Sequence, residues 1–195
     1  MSGNTNTLAG NYNAVKGNNN IALGDGNSLL GCDNAISGKV NIGKGEKNTV
    51  IGNENVWVGN LNMLHGSNII AEGNLNEVVG DLHCIDGDRN QVLGEGHLVL
   101  GHDNRVAGTE NMILKGNSNM VVGTRNSIEG GSNFVMGQRN QVTGSENVVE
   151  GGTNMVRGDA NMVSGKNNFV AGSGNKVITD SKELEKILRE KRRGK

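Results

Sequence analysis

The chain lacks several residue types that most globular proteins use. Its 195 residues include no proline, two cysteines, one Trp, one Tyr and two Phe. Cys32 and Cys84 do not make the framework of a disulfide-stabilised protein, so we expect both thiols to be free. The shortage of aromatic side chains argues against stacking on nucleic-acid bases or sugars, and we expect no nucleic-acid partner.

Long hydrophobic runs are missing as well. No stretch of about 18 apolar residues occurs, which predicts no insertion into a membrane. Residues 1–8 contain no charged and apolar leader of the kind that directs secretion. We therefore expect a cytoplasmic protein, with a virion surface as the alternative, because a virion protein assembled inside its host would look the same.

The sequence is rich in a seven-residue repeat. Starting at Gly3, glycine recurs every seven residues to Gly172, with one extra residue near Lys115. The third residue after glycine is asparagine in every unit except those with Ile69, His83 and His97. The fifth residue is apolar, most often valine, in every unit except the one with Gly43.

This repeat predicts a β-solenoid. Helical arrays need roughly 30 to 47 residues per unit, and a coiled coil is excluded because glycine and asparagine in every heptad disfavour helix interiors. Glycine suits a corner, where the backbone takes a positive φ or approaches another backbone closely. Between corners, a short strand would point its asparagine and its valine inward and its fourth and sixth residues outward. Stacked coils would align equal side chains about 4.8 Å apart, with the asparagines in hydrogen-bonded ladders.

Trp57 indicates how many heptads make one coil. It occupies the inward apolar position, where a side chain of its size needs small neighbours in the adjacent coils. Gly43 and Ala71 hold that position two heptads before and two heptads after it, whereas larger residues hold it one or three heptads away. The coil is therefore predicted to contain two heptads, with two strands and two corners. Lys115, the single insertion, is interpreted as a bulge in a corner.

The predicted fold class is all-β, a parallel β-solenoid of about twelve coils over residues 1–179. Residues 180–195 differ, with Leu184, Ile187 and Leu188 at helical spacing and basic residues such as Arg192 and Arg193 near the end. They predict a short amphipathic α-helix that caps the last coil, since solenoids need capping at their ends.

The motif G-x-x-N-x-V-x-G, paired into coils of two heptads, resembles the head repeats of YadA-like trimeric autotransporter adhesins. The resemblance extends from Gly3 to about Ile178. It implies a left-handed parallel β-roll, a homotrimer and binding to host surfaces; related repeats also occur in phage fibres. This chain departs from the family in preferring asparagine where the family has serine or alanine, and valine where the family has alanine.

The outward residues predict a protein interface. Before Lys115 the fourth residue is apolar in alternate heptads, and after Lys115 the apolar residues fall in the other set, so an apolar stripe should change face there. Around the crossing, eight apolar residues are expected to point outward: Leu98, Leu100, Met112, Leu114, Met120, Val122, Phe134 and Met136. So much exposed apolar surface is unusual on a soluble monomer, and we interpret it as a contact with a partner protein or with another copy of the chain.

Few residues suggest chemistry. His83 and His97 lie two heptads apart in the asparagine position and would stack in adjacent coils, where they either hold a metal ion or, as we expect, replace asparagine in the ladder. The seven-residue period does not match the nine-residue calcium-binding repeat or the hexapeptide repeat of acyltransferases. Outward residues such as Met63, Glu77 and Arg105 do not form the regular threonine array of ice-binding solenoids. We recognise no catalytic set and no cofactor site, and expect no enzyme.

Three functions therefore stay open. The first is a non-enzymatic structural scaffold or spacer rod that associates with proteins through its apolar stripe, within a larger assembly such as the cytoskeleton. The second is a trimeric adhesin-like or phage-fibre-like head that binds a surface. Metal storage or sensing through the two histidines is a third.

Overall fold

The computed structural model describes residues 2–114, 119–124 and 126–178. Lys115 and the tail residues Leu184, Ile187, Leu188, Arg192 and Arg193 lie outside the described residues, so the corner bulge and the terminal helix stay predictions. Within the described ranges, no helix has the length and apolar character needed to cross a membrane.

The chain folds as the predicted parallel β-solenoid, in which consecutive strands alternate between two sheets. The 13-stranded sheet contains, in order, β1 (Thr7–Ala9), β3 (Ile21–Leu23), β5 (Ala35–Ser37), β7 (Thr49–Ile51), β9 (Met63–His65), β11 (Glu77–Asp81), β13 (Gln91–Glu95), β15 (Arg105–Thr109), β17 (Met120–Thr124), β19 (Phe134–Gln138), β21 (Val148–Glu150), β23 (Met162–Ser164) and β25 (Lys176–Ile178). The 12-stranded sheet contains β2 (Ala14–Lys16), β4 (Ser28–Leu30), β6 (Ile42–Lys44), β8 (Val56–Val58), β10 (Ile70–Glu72), β12 (Cys84–Asp86), β14 (Leu98–Leu100), β16 (Met112–Leu114), β18 (Ser127–Glu129), β20 (Gln141–Thr143), β22 (Met155–Arg157) and β24 (Phe169–Ala171).

The strand register confirms a coil of two heptads. Each strand pairs in parallel with the strand two places further along the chain, so that Trp57 stands between Gly43 on one side and Ala71 on the other. A Cβ atom on Gly43 would overlap the indole of Trp57, which is the steric reason for glycine at this position. Trp57 is buried, as are the valine, leucine and isoleucine side chains that share the inward position, except Leu8 and Val177 in the end coils, which are partly buried. These columns form the core between the two sheets.

The asparagine column is the second inward feature. Asn34 is buried; its Oδ1 accepts from the backbone N–H of Asn48 at 2.9 Å, and its Nδ2 donates to the carbonyl of Gly45 at 2.9 Å. The same contacts recur along the roll, so a row of buried amides is satisfied by the coils on either side. Because an unpaired buried amide costs free energy, the column fixes the alignment of successive coils.

The corners explain the invariant glycine. Gly45 has a φ of 141°, and a Cβ atom there would overlap the carbonyl of Gly59 in the next coil. Two residues later Lys47 takes the left-handed conformation with a φ of 56°, and its N–H donates to the carbonyl of Cys32 at 3.0 Å. A positive φ at this second position recurs in residues as different as Val40 and Leu61, so closure of the coil sets the corner geometry and the residue type does not.

The single insertion shifts the register without exchanging the sheets. Arg105 on β15 pairs with Met120 on β17, and Met112 on β16 pairs with Ser127 on β18. Both pairs are separated by one residue more than two heptads, whereas pairs on either side of this point, such as Met120 and Phe134, are separated by two heptads. The extra residue therefore falls between β16 and β17, and strands continue to alternate between the two sheets.

Candidate functional site

Each strand presents two side chains to the outside. The first residue of each strand forms the first outer row of its sheet, as Ile42 and Val56 do, and the third residue forms the second outer row, as Lys44 and Val58 do. The residue between them points into the core, which gives the alternation of exposed and buried positions along β6 and β8.

The first outer row of the 12-stranded sheet is apolar over six consecutive strands. We call this set the N-terminal apolar row: Ile42, Val56, Ile70, Cys84, Leu98 and Met112. Ile42 is 51% exposed and Ile70 is 54% exposed, and Leu98 is half-buried. After the insertion this row is polar at Ser127 and Gln141 and apolar again at Met155 and Phe169, which are 44% and 74% exposed.

The first outer row of the 13-stranded sheet has its longest apolar run after the insertion, although Ile21 and Met63 are exposed apolar residues before it. It is polar at Glu77, Gln91 and Arg105, where Gln91 Nε2 donates to Glu77 Oε2 at 3.1 Å and Arg105 Nε donates to Gln91 Oε1 at 2.9 Å. After the insertion it is apolar over four strands, the C-terminal apolar row: Met120, Phe134, Val148 and Met162. The sheet order places the N-terminal and C-terminal apolar rows on different sheets.

The structure divides the eight predicted interface residues between the two sheets. Leu98, Leu100, Met112 and Leu114 lie on β14 and β16 of the 12-stranded sheet, and Met120, Val122, Phe134 and Met136 lie on β17 and β19 of the 13-stranded sheet. The side chains of Leu114 and Met136 lie outside the described residues. The other six residues thus belong to two apolar surfaces, one on each face. Whether either surface contacts a partner stays a prediction.

The second outer row of the 12-stranded sheet carries an ordered set of charges. Lys16 and Lys44 lie on β2 and β6, and Glu72 and Asp86 lie on β10 and β12, with Val58 of β8 between the two pairs. The four charged residues are exposed, and none forms an ion pair with another described residue. This charged row was not predicted from the apolar pattern of the sequence, although the spacing of two heptads already places these positions in one line.

The histidine pair occupies the asparagine column. The rings of His83 and His97 are stacked, with centroids 5.1 Å apart and an interplanar angle of 10°. Nδ1 of His83 accepts from the N–H of His97 at 3.3 Å, and Nδ1 of His97 accepts from the N–H of Asn111 at 3.1 Å. Nε2 of His83 is 3.1 Å from the carbonyl oxygen of Gly94, and Nε2 of His97 is 3.2 Å from that of Leu93. Neutral rings protonated on Nε2 satisfy all four contacts, so the pair takes over the hydrogen bonds of asparagine, and a metal ion would have to displace one of these partners.

Protonation of either ring is disfavoured in this position. Burial, together with the charge that His97 would carry, lowers the pKa of His83 to about 4, against the opposing effects of Gly94 and Asp81. Burial likewise lowers the pKa of His97. Among the described residues, no three His, Cys, Asp or Glu side chains converge as a metal site.

A second row of hydrogen-bond acceptors lines the corners. The residue directly after glycine caps the backbone of the preceding coil, as when Asn60 Oδ1 accepts from the N–H of Glu46 at 2.7 Å and Asp88 Oδ1 accepts from that of Asn74 at 2.6 Å. The frequent Asn, Asp and Ser residues at this position are the signal in the sequence that was missed. Cys84, by contrast, is exposed and free as predicted, and Cys32 is also free.

The repeat of this chain matches the profile of a known protein family. The profile described as "Grass antifreeze beta roll" matches residues 44–112 and 87–184, which together span more than half of the chain. The chain belongs to the grass antifreeze beta roll family. Membership of the grass antifreeze beta roll family establishes a β-roll repeat and does not support the finer resemblance to YadA-like heads.

Curated proteins and solved structures do not extend the family assignment. No curated protein matches this grass antifreeze beta roll chain. Among solved structures, the crystal structure of the polySia-specific acetyltransferase NeuO has a TM-score of 0.23 and 11% sequence identity, over 87% of this chain and 80% of that chain. A similarity at this level carries no argument about fold or activity.

Proposed function

We propose that this protein is a non-enzymatic structural rod that associates with other protein surfaces through its two apolar rows, as a scaffold or spacer within a larger assembly. The observation that supports this most is the recurrence of apolar residues, strand after strand, at outward positions. Ile42, Val56 and Ile70 follow one another on one sheet, and Met120, Phe134 and Val148 follow one another on the other.

The fold itself does not require these outward apolar residues. The core is complete without them, because the inward columns of the same strands are buried on both sheets. At equivalent outward positions the roll accepts Thr49, Gln91 and Arg105. Single exposed apolar residues are normal on a protein surface, whereas a continuous apolar patch marks a contact site.

The test compares charged substitutions on the two rows with matched substitutions on the opposite sheets. Leu98→Glu changes the N-terminal apolar row, and its control is Gln91→Glu in the preceding strand. Phe134→Glu changes the C-terminal apolar row, and its control is Gln141→Glu in the following strand. All four positions lie in first outer rows, so effects on folding should be small and similar. Thermal unfolding of each purified variant verifies this.

The readout is the size of the complexes that contain the chain in extracts of its own cells, measured by size-exclusion chromatography. We expect Leu98→Glu or Phe134→Glu to shift the chain toward smaller species while the two glutamine controls elute like the unchanged protein. If neither apolar substitution alters any complex, or if the controls act equally, the proposed function is wrong.

A trimeric adhesin-like or phage-fibre-like head is the alternative from the sequence resemblance. In a parallel trimer each rod would present one continuous face to the threefold axis. The apolar rows here occupy one sheet before the insertion and the other sheet after it. This change of face favours contacts on two sides of the rod, as a scaffold would make.

Ice binding is the function suggested by the description of the family. It would require a flat and regular outer array, and the first outer row of the 13-stranded sheet instead contains Met63, Glu77, Gln91 and Arg105. We do not assign this function. Thermal hysteresis in a nanolitre osmometer, with ice-crystal shaping by the purified chain, would reverse that decision.

A further inference from the structure

The charges on the 12-stranded sheet have opposite signs on the two sides of β8. The strands adjacent to β8 in this sheet are β6 and β10, and their second outer row holds Lys44 and Glu72 respectively. Further out, Lys16 lies on β2 and Asp86 lies on β12. If a second copy of the sheet is turned end for end about β8, its acidic strands therefore lie where the first copy has its basic strands.

The neighbouring first outer row is apolar across the same strands. Val56 lies on β8, with Ile42 on β6 and Ile70 on β10. Reversal about β8 exchanges the two isoleucines and leaves Val56 in place. The face is thus self-complementary in both rows: apolar against apolar, and basic against acidic.

Only one twofold orientation uses both properties. A twofold axis parallel to the strands turns the second rod end for end and keeps each outer row opposite its equivalent row. A twofold axis parallel to the rod leaves the rods parallel and puts the first row of one copy against the second row of the other. That arrangement would bury Lys44 and Glu72 against isoleucine, where an unpaired charge is costly.

Building on the proposed function, we propose that the N-terminal apolar row binds a second copy of this chain, face to face and antiparallel, about a twofold axis at β8. In this dimer Val56 and Val58 meet their equivalents at the axis. Ile42 of each copy lies opposite Ile70 of the other. Lys44 of each copy lies opposite Glu72 of the other, which supplies partners for charges that have none among the described residues of one chain.

The outer charges of the row are offset by one strand. Reversal about β8 places Asp86 of one copy opposite Leu30 on β4 of the other, whose neighbours in the sheet are β2 and β6. Lys16 and Lys44 lie on those two neighbouring strands, about 4.8 Å to either side. The long lysine side chains can reach this carboxylate, so the acidic half of each copy faces the basic half of the other.

The roll itself shows that opposite charges on adjacent coils can pair. Arg89 and Asp103, which lie 14 residues apart at one corner, form a two-point ion pair with an Nε to Oδ1 distance of 2.6 Å. In the second outer row of the 12-stranded sheet, by contrast, the lysines and the acidic residues occupy opposite sides of β8. A reversed second chain brings the two signs together.

The area of the contact face determines how tightly two copies are expected to bind each other. Seven strands from β2 to β14 at the usual spacing make a contact about 30 Å long, and two rows of side chains make it about 14 Å wide, on the order of 400 Å² per partner. Such an area falls in the class of weak, reversible contacts. We therefore expect a dimer that dissociates on dilution through the micromolar range.

The first experiment is a charge exchange, read by sedimentation velocity across a dilution series of the full chain. Lys44→Glu and Glu72→Lys, each alone, place like charges opposite each other at two symmetric positions and should raise Kd about tenfold. The double variant, Lys44→Glu with Glu72→Lys, restores opposite charges and should return Kd to within about threefold of the unchanged protein. The matched control is Glu150→Lys with Lys176→Glu on the 13-stranded sheet, which should leave Kd unchanged.

The second experiment does not depend on the charges. In a chain whose native thiols are removed by Cys32→Ser and Cys84→Ser, Val58→Cys places a thiol at the twofold axis. The control is Ile51→Cys, which lies in the second outer row of the other sheet and has the same 47% exposure as Val58. With copper phenanthroline as the oxidant, we expect covalent dimers from Val58→Cys and not from Ile51→Cys.

The outcomes separate this inference from the proposed function. The antiparallel dimer would be overturned by a monomer at every concentration or by a trimer. It would also be overturned if the single charge variants dissociated no more readily than the double variant. If the dimer fails while Leu98→Glu and Phe134→Glu still reduce the complexes in cell extracts, the apolar rows bind a different protein and the proposed function stands. If the dimer forms as described but those extract complexes are unchanged, the proposed scaffold role fails and the dimer stands.

Discussion

Along the 12-stranded sheet, the buried residue of every described strand is apolar or is Gly43, whereas the outward residues beside it range from Ile42 and Lys44 to Glu72. The inward positions must match the coils above and below, because each inward side chain contacts the inward side chain of the adjacent coil, in most coils asparagine against asparagine or one apolar residue against another. The outward positions meet no such demand. The inward residues therefore specify the fold, and the outward residues are those that can be selected for binding.

The largest expected effect comes from breaking the asparagine column. Asn48→Leu keeps a similar volume but leaves the N–H of Asn62 and the carbonyl of Gly59 without their side-chain partners. With a buried unsatisfied group costing about 1–3 kcal/mol, we expect a loss of roughly 3–5 kcal/mol in the free energy of unfolding, measured by urea denaturation. The control is Thr49→Leu on the adjacent outward position, expected within about 0.5 kcal/mol of the unchanged protein. Equal effects at the two positions would contradict the distinction between inside and outside.

The fit of Trp57 tests the inward apolar column. Gly43→Val places a side chain where the indole lies, and we expect a loss of about 3 kcal/mol because overpacking a filled core forces strain. Adding Trp57→Val should recover most of this loss, since valine is the usual occupant of both positions. A double variant as unstable as Gly43→Val alone would show that the two residues do not share one column. Urea denaturation of the single and double variants provides the measurement.

The histidine pair should make the inside sensitive to acid. The folded pKa of His83 is about 4, below its ordinary value of 6.5, so the unfolded chain binds the proton first. The neutral ring therefore contributes stability that is fully present above pH 6.5 and is lost as pH falls from 6.5 to 4, by about 3 kcal/mol. His83→Asn with His97→Asn should flatten unfolding free energy across this window. The same slope in both proteins would assign the acid sensitivity to other groups.

The smallest expected effect concerns the corners. Val40 holds a left-handed φ of 57°, a conformation that β-branched residues adopt only at a cost. Val40→Asn should therefore raise the free energy of unfolding by about 1 kcal/mol, since asparagine tolerates this conformation. Ile51→Asn, an exposed residue within a strand, is the control and should give no gain. Circular dichroism during thermal unfolding would detect the difference, and a loss at Val40 would show that its side chain has a packing role.

Much of the inside could be predicted from sequence because its rules are steric and repeat in every heptad. The size of Trp57, set against Gly43 and Ala71, was enough to give a coil of two heptads. The left-handed residues at the corners could not be predicted, because Val40 and Lys47 have no common local preference for that conformation. It arises from closing the coil and from hydrogen bonds between coils, which local sequence does not encode.

The outside was predicted less completely. The two apolar rows lie on different sheets on the two sides of the insertion, but Met155 and Phe169 return exposed apolar residues to the 12-stranded sheet. It becomes clear that Leu98 and Phe134 lie on separate surfaces only when each strand is assigned to its sheet. The charges of Lys44 and Glu72 were visible in the sequence, but their order has meaning only when a reversed second copy is considered. Inside the roll, the type of each residue is thus enough to predict its packing. On the outer surface, the positions of the residues relative to one another are what predict a contact.

The most direct test of the account is the absolute mass of the purified chain, measured by size-exclusion chromatography with light scattering across a dilution series. The antiparallel dimer formed by the N-terminal apolar row predicts a mass that falls reversibly on dilution, from that of a dimer toward the 20.5 kDa of one chain. A constant mass of 20.5 kDa at every concentration, or the mass of a trimer that dilution does not change, would contradict this dimer.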